Sequence, residues 1–503
     1  MSFLTELKKE ANYTTTLNGA KTHSSTGDAC LDLFAVAGGM RYRKPSDLKN
    51  MFTRAYIENP ELAMKLLFYI RDIRGGMGER KIFRILLRHV AFQWPESAKK
   101  NIHLIAKYGR FDDLLCLLKT PVQKQAVDLI SQQLQEDWKA VERRENGEHD
   151  APVSLLAKWL PSANASSRKT QDNARILSNA LGMDEKSYRK MLSRLRAHCC
   201  LTERYLARGQ VEKIKYETVP SSAMLKYRDA FARRDKERFH TYLDEVANGT
   251  KKMNSDILFP YEILRPYFKD SYYGISYGCK VKGMDVLEAL WNNQHIEVAE
   301  TNAISVIDTS GSMYWSLGDG PLPALISQAL GLRFAECCKG PFKNHVITFE
   351  SNPHLIELQG KTLRDKLMYL QSLPWGGSTN LEAVFDLILR TAVNAGATQE
   401  EMPSVLYIIS DMEFNCAFRN PDKTIYENAR EMFEVFGYQL PAVVFHNVNS
   451  WQTQAPVTAH TKGAALMSGA GVASFKEKFD GNMTPMSHML KVLNSKRYEE
   501  VHA

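Results

Sequence analysis

Asp308-Thr309-Ser310-Gly311-Ser312 follows directly on the apolar run Ala303-Ile304-Ser305-Val306-Ile307, so a carboxylate and two hydroxyls stand together where a buried strand ends. Oxygen donors of this kind hold a hard divalent cation. Two more occur in matching places: Thr379 in Trp375-Gly376-Gly377-Ser378-Thr379-Asn380, and Asp411 at the end of Val405-Leu406-Tyr407-Ile408-Ile409-Ser410. Mg²⁺ takes near-octahedral oxygen coordination at about 2.0–2.1 Å and sheds water reluctantly, so few carboxylates and several neutral oxygens leave a position for water or an outside ligand. Mn²⁺ accepts the same donors. Singly, each residue has an ordinary reading. Asp308 could start a turn, Ser310 and Ser312 could cap the next helix, and Thr379 with Glu382 spells a capping box. Jointly, in order and each after a strand or a glycine pair, Asp308, Ser310, Ser312, Thr379 and Asp411 predict one metal site. Glu413 reads as a supporting carboxylate rather than a ligand.

Residues so far apart meet only if the chain between them returns to one edge. From about residue 300, strand-like runs at 303–307, 345–349, 405–409 and 441–445 alternate with helical stretches near 323–338, 361–372, 380–394 and 424–436. Short runs at 355–358 and 464–468 could add strands. The alternation predicts βαβ units, a mostly parallel doubly wound sheet between helices, and convergence of strand C-termini on one crevice.

From about residue 46 to 295 the periodicity is helical almost throughout. Leu62, Leu66, Leu67 and Ile70 recur after Pro60, and Ile82, Phe83, Leu86 and Val90 recur before Pro95. Short amphipathic helices with brief turns predict stacked hairpins of the HEAT-like solenoid type. Arg143 to Asp150 and Ser166 to Thr170 read as exposed loops, and the pairs Cys199-Cys200 and Cys337-Cys338 as small core residues on helices. The expected division is 1–297 helical and 298–503 α/β.

Charge follows the same division. Residues 1–300 carry 49 Lys and Arg against 37 Asp and Glu, whereas residues 301–503 carry 16 against 20. A basic surface on the helical part favours a polyanion. The candidates are Lys186, Arg189, Lys190 and Arg194, on a helix whose other side carries Tyr188, Leu192 and Leu195, then Arg168 and Lys169, then Arg71 and Arg74. A solvated face is the alternative for the helix, and an internal ion pair with Asp72 between them is the alternative for Arg71 and Arg74.

The metal pattern resembles the metal-ion-dependent adhesion site of von Willebrand factor A domains. Helical body plus such a domain is similar to the TROVE module of the Ro autoantigen and of telomerase- and vault-associated proteins. Closer in wording is the domain of unknown function 2828 family. The residues carrying the resemblance are Thr26 to Phe34, Phe68-Tyr69-Ile70-Arg71-Asp72-Ile73-Arg74-Gly75-Gly76-Met77-Gly78-Glu79-Arg80, Trp159-Leu160-Pro161-Ser162 and Ser410 to Phe414. It implies metal ligation by Asp308, Ser310 and Ser312, with Thr379 and Asp411 direct or through water. It also implies RNA binding, to small structured RNAs on the outside of a helical ring or to single-stranded ends in its hole.

Several classes are excluded or set aside. No uninterrupted apolar stretch is long enough to span a membrane, and Met1 to Glu10 lacks a signal-peptide layout, so the expected location is cytoplasmic. The eight cysteines show no Cys-x-x-Cys spacing, which argues against a zinc site or disulfide framework. No RNP, KH or zinc-knuckle motif is present, so RNA would be read through phosphate, shape and ends. Gly75-Gly76 and Gly376-Gly377 lack a Walker pattern and no nucleophile–base pair stands out, so no enzyme and no small-molecule substrate is expected. The competing expectation is a protein-interaction module without RNA binding, in which a partner's Asp or Glu completes the metal's coordination.

Overall fold

A computed structural model describes residues 3–269, 276–299, 302–315, 320–349, 352–373 and 379–503. A hairpin pairs β1 (Tyr13–Thr15) with β2 (Lys21–His23), and a two-residue pair joins β3 (Phe268–Lys269) to β4 (Ser276–Tyr277). The main sheet comprises β5 (Ala303–Asp308), β6 (His345–Phe349), β7 (Leu355–Glu357), β8 (Val405–Ser410), β9 (Ala442–Asn447) and β10 (Ala464–Ser468). Its order is β10-β9-β8-β5-β6-β7, parallel throughout except for the antiparallel edge strand β7. From β5 the chain runs outward through β6 and β7, then returns to place β8 on the other side. The C-terminal ends of β5 and β8 therefore flank the point where strand order reverses, where open α/β sheets bind ligands.

Every residue of β5, β8 and β9 is buried, as parallel strands covered on both faces require. Side chains alternate between two cores. Ile304, Val306, Leu406 and Ile408 face helices Leu381–Ala395 and Ile425–Val435, whereas Ala303, Ile307, Val405 and Tyr407 face helices Pro323–Cys337 and Leu363–Ser372.

Packing does not follow the expected division of the chain. Apolar side chains from Ala29 to Leu195 join the first of these cores, and those from Leu206 to Trp291 join the second, so the helical region grips the sheet from both faces. In the first half, consecutive helices from Ala29–Val36 through Pro45–Glu58, Pro60–Arg71, Arg80–Gln93 and Pro95–Asn101 pack each on the next. The Asn59-Pro60 pair shows how sequence sets the turns. Asn59 Oδ1 accepts the Leu62 amide at 3.0 Å, and Pro60 fills the first helical position, where its missing N–H costs nothing. Residues 497–503 then lie back along these helices: Arg497 and the Tyr498 hydroxyl hydrogen-bond buried Asp72, and the Ala503 amide donates to Glu61 at 2.8 Å.

The helix–sheet junction is close enough to depend on one glycine. The Gly38 amide donates to Ser468 Oγ at 3.0 Å, and that hydroxyl donates to Phe34 O at 2.9 Å. A β-carbon at Gly38 would lie 2.4 Å from the backbone nitrogen of Gly469. Gly38→Ala is therefore expected to lower stability by at least ~1–3 kcal/mol, the usual cost of overpacking, because backbone rather than a flexible side chain must move. Denaturant unfolding measures it, and an unchanged midpoint would refute the close docking.

Three local expectations change. Arg143, Arg144 and Glu145 are the last turn of the helix Gln123–Glu145, held by Arg144, which donates to Ala151 O at 2.6 Å and to His198 O at 2.8 Å. Arg168 opens the helix Arg168–Ala180. Cys200 lies past a helix end, exposed and at φ 49°, rather than in a core. Among the described residues no helix is long and apolar enough to cross a membrane, and all eight cysteines are free thiols.

Candidate functional site

Two buried carboxylates meet at the β5–β8 reversal. Asp308 Oδ1 accepts the Ser310 amide at 2.9 Å, and Oδ2 accepts the Ser410 hydroxyl at 2.5 Å. Ser310 Oγ and Ser312 Oγ are 3.2 Å apart, and Ser312 lies near enough to the Asp411 carboxyl to draw its pKa down. Asp411 Oδ1 accepts the Glu413 amide at 3.2 Å, while its Oδ2, shielded from solvent, has no hydrogen-bond partner. Met412 turns the chain here at φ 66°, a left-handed conformation unusual for a non-glycine residue and concentrated at functional sites. Ser410 Oγ steadies that turn by accepting the Met412 amide at 3.0 Å.

Burial pushes both carboxyls above their ordinary value of 3.8, and at Asp411 the charge of Asp308 pushes in the same direction. Neither has a basic side chain among the causes of its shift. Two carboxylates, neighbouring hydroxyls and one orphaned buried oxygen are the donor set of a hard cation, so the residues present fit a Mg²⁺ or Mn²⁺ ion. Among the described residues no group of three or more His, Cys, Asp or Glu side chains converges, so the fit rests on hydroxyls as much as on carboxylates.

Thr379 is buried nearby, its carbonyl accepting the Asn415 amide at 2.9 Å. Its helix is capped not by the predicted Thr379–Glu382 box but by Asn380, whose Oδ1 accepts the Ala383 amide at 3.1 Å. Glu382 instead accepts the amides of Phe418 at 2.6 Å and Arg419 at 3.2 Å, which anchors the loop beyond Asp411. Trp375, Gly376, Gly377 and Ser378 lie outside the described residues.

The N-terminal hairpin covers this edge, a feature with no sequence signal. The Leu17 amide donates to Glu413 Oε2 at 2.7 Å and Gln454 donates to Oε1 at 3.0 Å, so Glu413 is occupied in holding the hairpin. Asn18 Nδ2 donates to Glu413 O at 2.6 Å and lies 3.5 Å from Thr379 Oγ1. Ser410, Asn18, Glu413 and Gln454 thus support the five predicted ligands.

A second feature lies on the helical region. Helix Glu185–His198 buries Tyr188, Met191, Leu192 and Leu195 and exposes Lys186, Arg189 and Lys190. These three, with Arg196, Arg204 and Ser162, line an open groove of about 750 Å³ whose walls carry no Asp or Glu. Arg194 faces elsewhere: it forms a two-point pair with Glu145 at 2.6 and 3.3 Å and lies 4.1 Å from the Trp138 ring. Arg196 holds the Trp159-Leu160-Pro161-Ser162 segment, donating to Ala157 O, Leu160 O and Ser162 Oγ, each at 2.8 Å. Arg168 and Lys169 are exposed, and Lys169 lines a neighbouring groove of about 930 Å³ that shares Ser162 and Arg196 with the first. Sequence reasoning missed Arg204, which has no apolar partner pattern around it to mark its face.

Arg71 is not on this surface. It is 4% exposed, and its Nε donates to Asp113 Oδ2 at 2.7 Å, because the last turn of its helix points inward and a buried guanidinium requires a counter-charge. Arg74, three residues on, is exposed but lines a separate cavity.

Fold and sites together define a helical body clasping a six-stranded α/β sheet, with a buried cluster of oxygen donors at the sheet's reversal point. Residues 16–129 and 175–304 match the domain of unknown function DUF2828, and residues 302–498 match the domain of unknown function DUF7788. An uncharacterized protein of Acanthamoeba polyphaga mimivirus is 30% identical over 526 residues, covering 96% of this chain and 87% of that protein. The chain belongs to the DUF2828 family. Among solved structures, the Ro (RSR) protein of Deinococcus radiodurans is similar at a TM-score of 0.48 and 13% identity, over 90% of this chain and 99% of that one.

Proposed function

We propose that the protein is an RNA-binding scaffold of the Ro type whose α/β part is a von Willebrand factor A-like domain carrying Mg²⁺ at Asp308, Ser310, Ser312, Thr379 and Asp411. The RNA reading is carried by the groove beside helix Glu185–His198. Five cationic side chains line it without a carboxylate, and Lys186, Arg189 and Lys190 make no ion pair among the described residues. Unpaired cations along an open groove track a phosphate backbone, which supplies affinity without sequence preference. The metal would supply a fixed positive charge at the sheet edge, where the hydroxyls of Ser310, Ser312 and Thr379 would help to hold it and the N-terminal hairpin would shield it. No turnover of RNA or nucleotide is expected at this centre.

Reversing Lys186, Arg189 and Lys190 to glutamate together is expected to weaken binding to unrelated single-stranded RNAs alike. The slope of log affinity against log salt should fall by roughly 0.7–0.9 for each phosphate no longer neutralised. Arg194→Glu, whose wild-type partner is Glu145, should leave that slope unchanged. Fluorescence anisotropy across a salt series decides it, and an intact slope in the folded triple variant would sink the groove assignment.

A second reading has its own observation. Leu17, Trp315 and Phe418 are large, exposed apolar side chains on the segments that carry Asn18, Ser312 and Asp411. Exposed apolar groups of this kind around a charged centre fit a protein partner that brings a carboxylate to the metal. Wild-type protein that binds no RNA but gains a Mg²⁺-dependent partner, released by Trp315→Ala, would replace the RNA reading with this one.

A further inference from the structure

The groove beside helix Glu185–His198 does not end at Ser162 and Arg196. Through these two residues it joins the second groove, of about 930 Å³. Trp159 lines that second groove, partly exposed and a member of neither apolar core. Arg110 lies against the indole with its Cζ 3.8 Å from the ring centre, and Asp112 fixes it there through bonds of 2.9 and 2.6 Å. Arg110 lines neither groove, so the guanidinium backs the ring from outside them.

Lys119 lines the same groove at φ 59°, a left-handed conformation that is rare for a non-glycine residue and gathers at ligand sites. Its backbone is pinned there: the amide donates to Gln123 Oε1 at 2.7 Å, and the carbonyl accepts Arg88 Nη2 at 3.3 Å. Neither the Lys119 nor the Lys169 ammonium has an ion pair among the described residues. The two carboxylates of the lining do have partners. Asp112 pairs with Arg84 at 2.7 Å and Arg110 at 2.6 Å, and Asp172 with Arg175 at 3.7 Å.

We propose that an unpaired base of a single-stranded RNA stacks on Trp159, with Lys119 and Lys169 holding the flanking phosphates as the strand passes from the first groove into the second. This rests on the RNA-binding reading of the first groove. An aromatic ring among cations in an open groove holds a single strand, since every base offers a π-face and the backbone supplies the charge. A duplex keeps its bases stacked on one another and presents none. Lys158, whose Nζ is 5.2 Å from the ring centre, pairs with half-exposed Glu203 at 3.3 Å, a contact weak enough for the lysine to swing aside.

Fluorescence anisotropy of the full chain with a short labelled oligoadenylate, an abasic strand of the same length and a blunt RNA duplex tests the stacking. Wild type is expected to hold oligoadenylate at least about fivefold more tightly than the abasic strand, the low end of what one stacked base contributes. Trp159→Ala should lose most of that preference with an unchanged salt slope, because no phosphate contact goes. Trp159→Leu, which keeps apolar bulk beside Arg110 without a π-face, should do the same, and Trp159→Phe should retain part of it. Lys119→Glu with Lys169→Glu should instead weaken both strands, lower the salt slope and leave the preference intact. The preference is a ratio within each variant, so a loss of stability that weakens both strands alike does not imitate the result. A preference that survives in folded Trp159→Ala or Trp159→Leu overturns the proposal, as does a duplex bound as tightly as the single strand. Polyglutamate bound as tightly as oligoadenylate would assign the groove to an acidic protein segment and overturn it too. Wild type that binds neither strand removes the RNA reading and this site with it. Binding weakened by the reversal at Lys186, Arg189 and Lys190, with the preference unmoved in the Trp159 variants, removes this site alone.

Discussion

Asp411→Asn is expected to abolish Mg²⁺ and Mn²⁺ binding and yet to make the metal-free protein more stable, by about 1–3 kcal/mol at pH 8. Asp308 and Asp411 are both buried; Asp411 has an orphaned oxygen, and neither has a basic neighbour among the causes of its shift. A neutral amide of the same shape removes the repulsion and the unpaired charge, but also a metal ligand. The pH dependence has a definite sign. Both carboxyls titrate above their ordinary 3.8 in the folded chain, so the native state keeps protons that the unfolded chain releases. Stability of the metal-free wild type is therefore greatest below about pH 4 in this contribution and declines as pH rises through neutrality. Mg²⁺ should reverse the decline by binding the native state, and Asp411→Asn should flatten it. Asp308→Ala should also lose the metal without the gain in stability, because the Ser310 amide and Ser410 hydroxyl lose their acceptor. Calorimetry and denaturant unfolding at pH 5 and pH 8, with and without EDTA, read all of this. Wild-type metal affinity in Asp411→Asn, or metal-free stability that rises over that interval, would end the assignment.

What can be read from the sequence, and what cannot, divides by the range of the interactions. The strands at 303–308, 345–349 and 405–410 declare themselves because a fully covered parallel strand is apolar at nearly every position. Strand order is not written in such runs, yet the oxygen donors are still locatable, because chemistry-bearing residues follow strand ends. The hairpin over the site is illegible for the opposite reason. Leu17 and Asn18 meet Glu413 across almost 400 residues, each bond joining a backbone group on one side to a single side chain on the other, which leaves no periodic pattern in either stretch. The charged stretches that read as loops fail on propensity, since Arg and Glu sustain a helix without apolar periodicity when its end is tethered elsewhere.

Arg71 is the sharpest case, and it carries the second large effect. Asp113→Ala is expected to cost about 3–5 kcal/mol, the usual penalty for leaving a buried charge without its partner. Asp113 is fully buried and accepts Arg71 Nε at 2.7 Å, Arg84 Nε at 2.6 Å and the Arg110 amide at 3.0 Å. Its loss strands Arg71, and Arg71→Ala should be less severe because half-exposed Arg84 still neutralises Asp113. Replacing both partners, as Arg71→Met with Asp113→Leu, should cost less than Asp113→Ala alone, since apolar groups of similar volume leave no charge behind. The cycle also separates structure from RNA binding, for which Arg71 and Arg74 look alike in the sequence. At a temperature where the variants remain folded, Arg71→Ala should bind RNA with wild-type affinity and salt slope, because its guanidinium never reaches solvent. A variant of wild-type stability with a reduced salt slope would mean that Arg71 contacts phosphate after all, and that the turn from Arg71 to Arg80 opens in solution.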